Sequence, residues 1–185
     1  MRVLVTGTTG GIGGAVKTAA LALGWEVVEI NRGDFDSLET LPGTFNGVVF
    51  ATGMCPVKPL AQVDDGLFAE TLRVNCTFFL RLMRALVDGG HCAADGMKAI
   101  AVSSVSAVEG WPGGTAYCAS KGALSALCRA LDAELASRGI SVSAVEPRYV
   151  KTRMFDACAG RMGVSPSLAT DPKDFANDII RRIRK

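Results

Sequence analysis

The chain has 185 residues, of which 49% are hydrophobic and 21% charged, with a formal net charge of +2 and a mean hydropathy of +0.28. This composition excludes a disordered chain, and the near balance of charge argues against a nucleic-acid partner. The longest uncharged stretch, residues 40–57, is interrupted by prolines and glycines, so no membrane-spanning helix is expected. The length predicts one domain over residues 1–185.

The number and spacing of the cysteines and the histidine indicate whether disulfides or a metal site are expected. The sequence has six cysteines, none of them paired at two-residue spacing, and one histidine. A chain of this size needs no disulfides, and we expect reduced thiols and no metal site. The apolar stretch at the N-terminus is too short for a secretion signal, so we expect a cytoplasmic protein.

Apolar β-branched runs alternate with helical patterns along the chain. Strands are predicted at residues 2–5, 26–30, 48–51, 98–103 and 141–145, and the main helices at residues 11–23, 65–87 and 116–137. This order predicts an α/β fold in which helices cover both faces of a doubly wound parallel sheet. The runs at residues 3–5 and 99–102 are continuously apolar, as expected for strands covered on both sides.

Two segments depart from regular alternation. Residues 31–47 are enough for one short crossover but not for the usual helix, strand and helix. Residues 153–170 lack a clear period, and their apolar Met154, Phe155 and Met162 either pack as core or lid residues or line a pocket. A final helix is predicted after Asp171 because a proline follows this N-cap residue.

A glycine-rich turn joins the first strand to the first helix. Gly7, Thr9, Gly11, Ile12 and Gly13 lie where backbone N–H groups and a helix N-terminus receive a pyrophosphate in Rossmann-like folds. By itself such a turn also serves as a tight strand-to-helix connection. The spacing of its glycines, TGxxxGxG, resembles the short-chain dehydrogenase/reductase family. The resemblance implies a nicotinamide dinucleotide as cofactor.

The end of the second predicted strand bears on cofactor choice. An acid at this position favours a free ribose 2′-hydroxyl, whereas an arginine accepts a 2′-phosphate. This chain has Asn31 followed by Arg32. A neutral amide beside a guanidinium suits the phosphate, so NADP(H) is favoured over NAD(H), the alternative being that Arg32 is only solvated.

Further cofactor contacts are implied by the family resemblance. Residues 33–36 resemble the adenine-contacting segment of family members with a shortened second half, which assigns Asp34 to the adenine amine and Phe35 to the base. Residues Ala51, Thr52 and Gly53 stand where the family has Asn-Ala-Gly, so the glycine is kept and the asparagine is not.

Four polar residues match the family's catalytic set. Tyr117 and Lys121 are four residues apart on a predicted helix and therefore share one face. Ser104 precedes Tyr117 by thirteen residues, the spacing of the family triad, and Asn75 matches the fourth catalytic residue. The resemblance implies that Lys121 also binds the nicotinamide ribose and that Asn75 helps hold a water chain.

The last matching segment lies on the nicotinamide side. The resemblance assigns Pro147, Val150 and Thr152 to cofactor binding. Arg148 replaces the usual glycine after Pro147, which either changes the path of the loop or places a cation near the substrate.

These residue types suit carbonyl reduction. A carbonyl that receives hydride develops negative charge on oxygen, so Tyr117 would give the proton and Ser104 would hold the oxygen. Lys121 and the positive charge of the nicotinamide would lower the pKa of the phenol. The chain is thus expected to interconvert a small-molecule carbonyl and a secondary alcohol. The alternative is a non-catalytic NAD(P)-binding regulatory or redox-sensing module on the same fold.

The resemblance also implies assembly. In the family the helices equivalent to residues 65–87 and 116–137 pair across a two-fold axis. The small residues Ala119, Ala123 and Ala126 permit close approach, the alternative being burial by loops of the same chain. A second family interface uses a strand after the last helix, and nothing follows Lys185. We therefore expect a homodimer and not a tetramer.

Overall fold

A five-stranded parallel sheet forms the centre of the computed structural model, which describes residues 1–36 and 38–185 without the side chains of Phe35, Asp36 and Glu39. Its strands are β1 (Arg2–Thr6), β2 (Glu26–Ile30), β3 (Gly47–Phe50), β4 (Met97–Val102) and β5 (Ile140–Val145). The strands follow the order β2-β1-β3-β4-β5. This arrangement confirms the predicted doubly wound Rossmann-like sheet.

Helices flank the sheet in the predicted chain order. They are α1 (Gly11–Ala22), α2 (Asp65–Leu72), α3 (Phe78–Asp88), α4 (Thr115–Leu135), α5 (Arg153–Met162) and α6 (Pro172–Arg184). A π turn, Arg73–Thr77, joins α2 to α3, so the predicted long helix is one rod with a local insertion. None of the described helices has both the length and the apolar character needed to cross a membrane.

The two faces of the sheet bury alternate side chains of the same strands. Leu4 and Phe50 point toward one core, which α3 and α4 supply, whereas Val3 and Val49 point toward the other, which α1 and α6 cover. Since both faces are buried, the central strands carry apolar residues at successive positions, as the sequence indicates. The short crossover before β3 is also confirmed, because 3₁₀ turns occupy residues 32–36 and 38–40.

Helix α5 corrects the expectation that residues 153–170 have no regular period. The Thr152 hydroxyl accepts a hydrogen bond from the Phe155 backbone N–H and caps the helix, and Gly163 ends it in the left-handed region with φ 65°. Phe155, Cys158 and Ala159 are buried at helical spacing. Three buried positions in ten residues form a weak signal, which explains why the pattern was missed.

The strand order fixes where a ligand can bind. The chain leaves β1 for β2 on one side, and β3 lies on the other side of β1. In open α/β sheets a crevice opens at the carboxyl ends of the strands at such a switch point. Gly7 follows β1, Ala51 follows β3 and Ser103 follows β4, so three of the segments that the sequence singles out meet at this edge.

Candidate active site

The glycine turn adopts a shape that larger residues could not. Gly7 is left-handed, with φ 68°, and a Cβ there would lie 2.8 Å from the carbonyl oxygen of Ala51. A Cβ on Gly13 would overlap the Gly7 carbonyl oxygen, so Gly13 lets α1 pack directly against the turn. The close backbone contacts of Gly7 and Gly13 bring the start of α1 to the turn, and Gly11 and Ile12 at that start line the cleft. A helix N-terminus in this position suits a diphosphate.

The start of α5 closes over the same turn. A Cβ on Gly11 would lie 2.5 Å from Cγ2 of Thr152, which shows how closely the two segments approach. Next to Thr152, the Arg153 guanidinium donates to the carbonyl oxygen of Thr9 over 3.4 Å. Thus Arg153, which the sequence analysis did not select, places a positive charge beside the turn.

Most of the predicted cofactor residues line one cleft. Those that line it are Gly7, Thr9, Gly11, Ile12, Asn31, Arg32, Ala51, Thr52, Gly53, Tyr117, Lys121, Pro147, Val150 and Thr152. Gly13, Asp34 and Asn75 are not among the lining residues. Gly13 acts through packing, whereas Asp34 and Asn75 make the contacts given below. The prediction for Phe35 concerns a side chain outside the described ones.

The adenosine end of the cleft is neutral to basic. Arg32 is exposed and donates to the Gly53 carbonyl oxygen over 3.2 Å. The Asp34 carboxylate accepts the Asn31 backbone N–H at 2.7 Å and so closes the local turn. The nearby acid Glu29 pairs with Lys17 at 2.5 Å, outside the cleft lining. Hydrogen bonds from Lys17 and then Thr8 lower the pKa of Glu29.

The strand ends β1 and β3 are joined by a hydroxyl. Thr6 Oγ1 accepts the backbone N–H groups of Ala51 and Thr52 at 3.1 and 3.2 Å, and the Thr52 hydroxyl donates to it at 2.9 Å. Thr6 is fully buried. This threonine, which the sequence analysis quoted only as part of the turn motif, fixes the segment that replaces the family's Asn-Ala-Gly.

Ser104 and Tyr117 form the centre of the site. Ser104 caps the 3₁₀ turn Val105–Ala107, and its Oγ accepts the Ser106 backbone N–H at 3.1 Å, which leaves its own proton free to donate. Tyr117 lies close enough to Ser104 for the serine hydroxyl to act on the pKa of the phenol. The neighbouring Ser103 is different, because its hydroxyl contacts the Lys121 carbonyl and the Ser125 hydroxyl on α4.

Lys121 is buried beside this pair. Its Nζ donates to the Val102 carbonyl oxygen at 2.8 Å and lies 5.7 Å from the centroid of the Tyr117 ring. Only 4% of the residue is exposed. Burial lowers the pKa of Lys121 to about 8. The lysine therefore loses its proton at a much lower pH than an exposed lysine.

The pKa of Tyr117 is set mainly by burial. Burial raises this pKa above the ordinary value, while the Ser104 hydrogen bond acts in the opposite direction. The lowering expected from Lys121 together with a bound nicotinamide stays a prediction; in this structure the ammonium donates to the Val102 carbonyl and lies 5.7 Å from the centroid of the phenol ring. Burial keeps the phenol protonated, so that it can act as the proton donor to the more basic alkoxide that forms during reduction.

Asn75 is fully buried in the π turn and holds other parts of the site in place. Its Oδ1 accepts the Met54 backbone N–H at 2.8 Å, and its Nδ2 donates to the Met54 carbonyl and the Ser120 hydroxyl at 2.9 and 2.8 Å. Ser120 in turn donates to the Tyr117 carbonyl. Both amide protons are thus used within the protein. The water-chain role of Asn75 stays a prediction.

The other end of the cleft contains residues that the spacing rules could not select. The Trp111 and Tyr117 ring centroids are 6.4 Å apart, and the indole N–H donates to Ser106 at 3.1 Å. Cys55 and Cys158 also line this end, with the Cys158 thiol 3.8 Å from the Cys55 carbonyl oxygen. Cys55 lies on the loop after β3 and Cys158 lies on α5, so no short sequence motif contains both cysteines.

Known proteins resemble the chain over most of its length. A family model described as "Enoyl-(Acyl carrier protein) reductase" matches residues 29–170. Nodulation protein G of Rhizobium meliloti (strain 1021) is 32% identical over 84% of this chain and 75% of its own. The 3-oxoacyl-[acyl-carrier-protein] reductase FabG of Haemophilus influenzae is 27% identical over 95% of this chain and 90% of its own. A dehydrogenase/reductase crystal structure from Sinorhizobium meliloti 1021 has 26% identity and a TM-score of 0.79, covering 96% and 85%.

Proposed function

The chain belongs to the short-chain dehydrogenase/reductase family and is an NAD(P)-dependent oxidoreductase of carbonyl and alcohol groups, and we propose that Ser104, Tyr117 and Lys121 carry its reaction. The observation that supports this assignment is that all three side chains line one cleft, with the buried Lys121 Nζ 5.7 Å from the centroid of the Tyr117 ring. The two hydroxyls can both reach one substrate oxygen.

Proton transfer is assigned to Tyr117. Because burial keeps the phenol protonated, Tyr117 gives its proton to the alkoxide oxygen that forms during reduction. Ser104 donates its O–H to the same oxygen, while its own oxygen accepts the Ser106 N–H, which fixes the position of the hydroxyl. Lys121, next to the ring, stabilises the phenolate that remains. Asn75 acts here as a positioning residue for the loop after β3 and the start of α4.

The cofactor site fits a dinucleotide. The N-terminus of α1 lines the cleft at Gly11 and Ile12 and would hold a diphosphate there, and Arg153 adds a positive charge beside the turn. A bound nicotinamide supplies or accepts the hydride. Pro147, whose carbonyl accepts the Val105 N–H next to Ser104, would lie at the nicotinamide end. Val150 and Thr152 line the same cleft and would complete this side of the cofactor site, Thr152 beside Gly11.

Turnover distinguishes the proposed enzyme from the alternative, a non-catalytic NAD(P)-binding module. A regulatory module would bind the cofactor through the glycine turn without needing Ser104, Tyr117 and Lys121 in contact. We therefore test the proposal by mixing the protein with reduced nicotinamide and a panel of ketones. Continuous loss of the reduced-nicotinamide absorbance supports the enzyme, whereas tight binding without turnover across the panel supports the module.

NADP(H) is proposed as the preferred cofactor because Arg32 lies at the adenosine end and Glu29, the acid on β2 near this end, is paired with Lys17. We expect NADPH to bind more tightly than NADH by ~1–3 kcal/mol, and calorimetry measures both affinities. In Arg32→Gln the NADPH Kd should rise by roughly 10- to 100-fold, while the NADH Kd changes by less than about threefold.

Arg153→Gln is the matched control for this cofactor prediction. It removes the same charge from the same cleft, but at the glycine turn, where the two cofactors are identical. We expect it to weaken NADPH and NADH by the same factor. Equal wild-type affinities, or an unchanged NADPH-to-NADH ratio in Arg32→Gln, would refute the role of Arg32.

We also propose a two-fold homodimer through the α2–α3 rod and α4. Within one chain, Ala119 and Ala126 of α4 remain exposed, so the chain's own loops do not cover these positions. Light scattering at micromolar concentration should give twice the 19.3 kDa mass of one chain. Ala126→Arg should give a monomer by placing a bulky charge in the interface. A wild-type monomer would contradict this assembly.

Residues 1–185 are proposed to act as one catalytic domain in the cytoplasm. All six cysteines lie among the described residues and are free thiols, which suits a reducing compartment.

A further inference from the structure

The charges that line the cleft point to the kind of substrate it accepts. Among the described lining residues none is acidic, and the cations are Arg32, Lys121, Arg148 and Arg153. Arg32 and Arg153 lie at the adenosine end and the glycine turn, and Lys121 is bonded to the Val102 carbonyl. Arg148 is therefore the cation to be considered for the substrate.

Arg148 is already bound by an acid of its own chain. Its Nη1 and Nη2 donate to both carboxylate oxygens of Glu109, at 3.2 and 2.7 Å. Hydrogen bonding to Glu109, the charge of Glu109 and a hydrogen bond to Tyr149 raise the pKa of Arg148 in that order. The two-pronged geometry occupies one edge of the guanidinium, and its charge is neutralised.

The ion pair lies at the catalytic end of the cleft. Glu109 follows Ser104 by five residues, and Arg148 follows Pro147, whose carbonyl accepts the Val105 N–H at 3.1 Å. The pair thus links the loop that carries Ser104 to the loop on the nicotinamide side.

The remaining surface near Tyr117 is apolar and aromatic. Trp111 lies beside the Tyr117 ring, and the Tyr149 and Phe155 ring centroids are 5.5 Å apart. Met154 and Met162 complete this side of the cleft. Aromatic rings and thioethers bind apolar groups and offer an anion few hydrogen-bond donors. The tryptophan N–H is already engaged by Ser106, and the Tyr149 hydroxyl is a hydrogen-bond partner of Arg148.

We propose that this site takes an uncharged carbonyl compound with an aromatic or bulky aliphatic group, and that Glu109 excludes anionic keto acids by neutralising Arg148. The proposal rests on the proposed oxidoreductase function. A carboxylate at this end of the cleft would have to displace Glu109 from Arg148 or share a guanidinium whose charge Glu109 already offsets, whereas a neutral ring packs against the aromatic wall without either cost.

The test compares ligands that differ in one group. Acetophenone and phenylglyoxylate, which carry a methyl and a carboxylate at the same position, serve as substrates. Binding of the corresponding alcohols, 1-phenylethanol and mandelate, to the protein saturated with NADP⁺ is measured by tryptophan fluorescence at low salt, because salt screens an exposed ion pair. We expect the neutral member of each pair to be favoured at least tenfold in kcat/KM and in Kd.

Glu109→Gln provides the sharper test. Once the opposing charge is removed, Arg148 is free to pair with a carboxylate, so the preference for the anion over the neutral ligand should rise at least tenfold. The Glu109→Gln/Arg148→Gln double variant should lose that rise, which separates a charge effect from a change in loop structure. An unchanged preference in Glu109→Gln, or a wild-type preference for the anion, would overturn the proposal.

The inferred ligand preference and the proposed function can be refuted separately, because binding tests the first and turnover tests the second. If the wild-type protein turns over no ketone of the panel but binds 1-phenylethanol over mandelate with the expected response to Glu109→Gln, the proposed function fails and the inferred ligand preference stands. If it reduces phenylglyoxylate better than acetophenone, the function stands and the inference fails.

Discussion

Replacing Tyr117 by phenylalanine is expected to lower kcat by roughly 10²- to 10⁴-fold, because the ring is kept and the transferable proton is lost. Cofactor affinity should change little, since the phenol's described partner is Ser104 and the glycine turn lies elsewhere in the cleft. Steady-state rates with NADPH and a reducible ketone, together with calorimetry of NADPH binding, measure the two effects separately.

Tyr149→Phe is the matched control, because Tyr149 is the other of the two tyrosines in the chain and also lines the cleft. Its ring contacts Phe155 rather than the Ser104 pair, and we expect a loss of less than about tenfold. A Tyr117→Phe turnover within threefold of the wild type would remove Tyr117 as the proton donor.

Replacing Lys121 by methionine should damage both turnover and cofactor binding. The variant keeps a chain of similar length but loses the ammonium that lies beside the phenol and, by family resemblance, holds the nicotinamide ribose. We expect kcat to fall by at least about 10³-fold and the NADPH Kd to rise about tenfold or more. Rapid-mixing rates and calorimetry provide these values.

The pH dependence of cofactor binding identifies the group responsible. The pKa of Lys121 in the folded protein is about 8, which is below the ordinary lysine value. The side chain is therefore fully protonated only well below pH 8, and it loses its positive charge as the pH rises through this value. Binding of the anionic cofactor should therefore weaken above about pH 8 in the wild type and not in Lys121→Met. Lys98→Met, which removes a charge on β4 outside the cleft lining, should keep the wild-type pH profile. The same profile in Lys121→Met would contradict this role for Lys121.

The doubly wound parallel sheet and the glycine turn could be predicted from the sequence because each depends on local signals. The continuously apolar runs that lie in β1 and β4 indicate strands covered on both faces. The glycine spacing predicts a turn that larger residues cannot form. The structure requires glycine at Gly7 and Gly13, because a Cβ at either position would collide with backbone atoms. The helical spacing of Tyr117 and Lys121 likewise placed both on one side of α4.

The features that the sequence could not predict depend on contacts between distant segments. Arg148 was recognised as unusual, but its pairing with Glu109, thirty-nine residues away, follows from the approach of two loops. The Asn75 side chain is hydrogen-bonded to Met54 and Ser120, and no spacing in the sequence predicts these partners. The start of α5 was recoverable in principle, since Thr152 is a good N-cap residue, but its short buried stripe is weaker than those of α3 or α6.

The central claim is hydride transfer at the Ser104–Tyr117 pair, and isotope transfer tests it most directly. The protein is incubated with acetophenone and NADPH deuterated at the transferable C4 position, and the alcohol product is analysed by mass spectrometry. We predict one deuterium at the carbinol carbon in a reaction that Tyr117→Phe nearly abolishes. Product without deuterium, or deuterated product formed equally well by Tyr117→Phe, would contradict the claim.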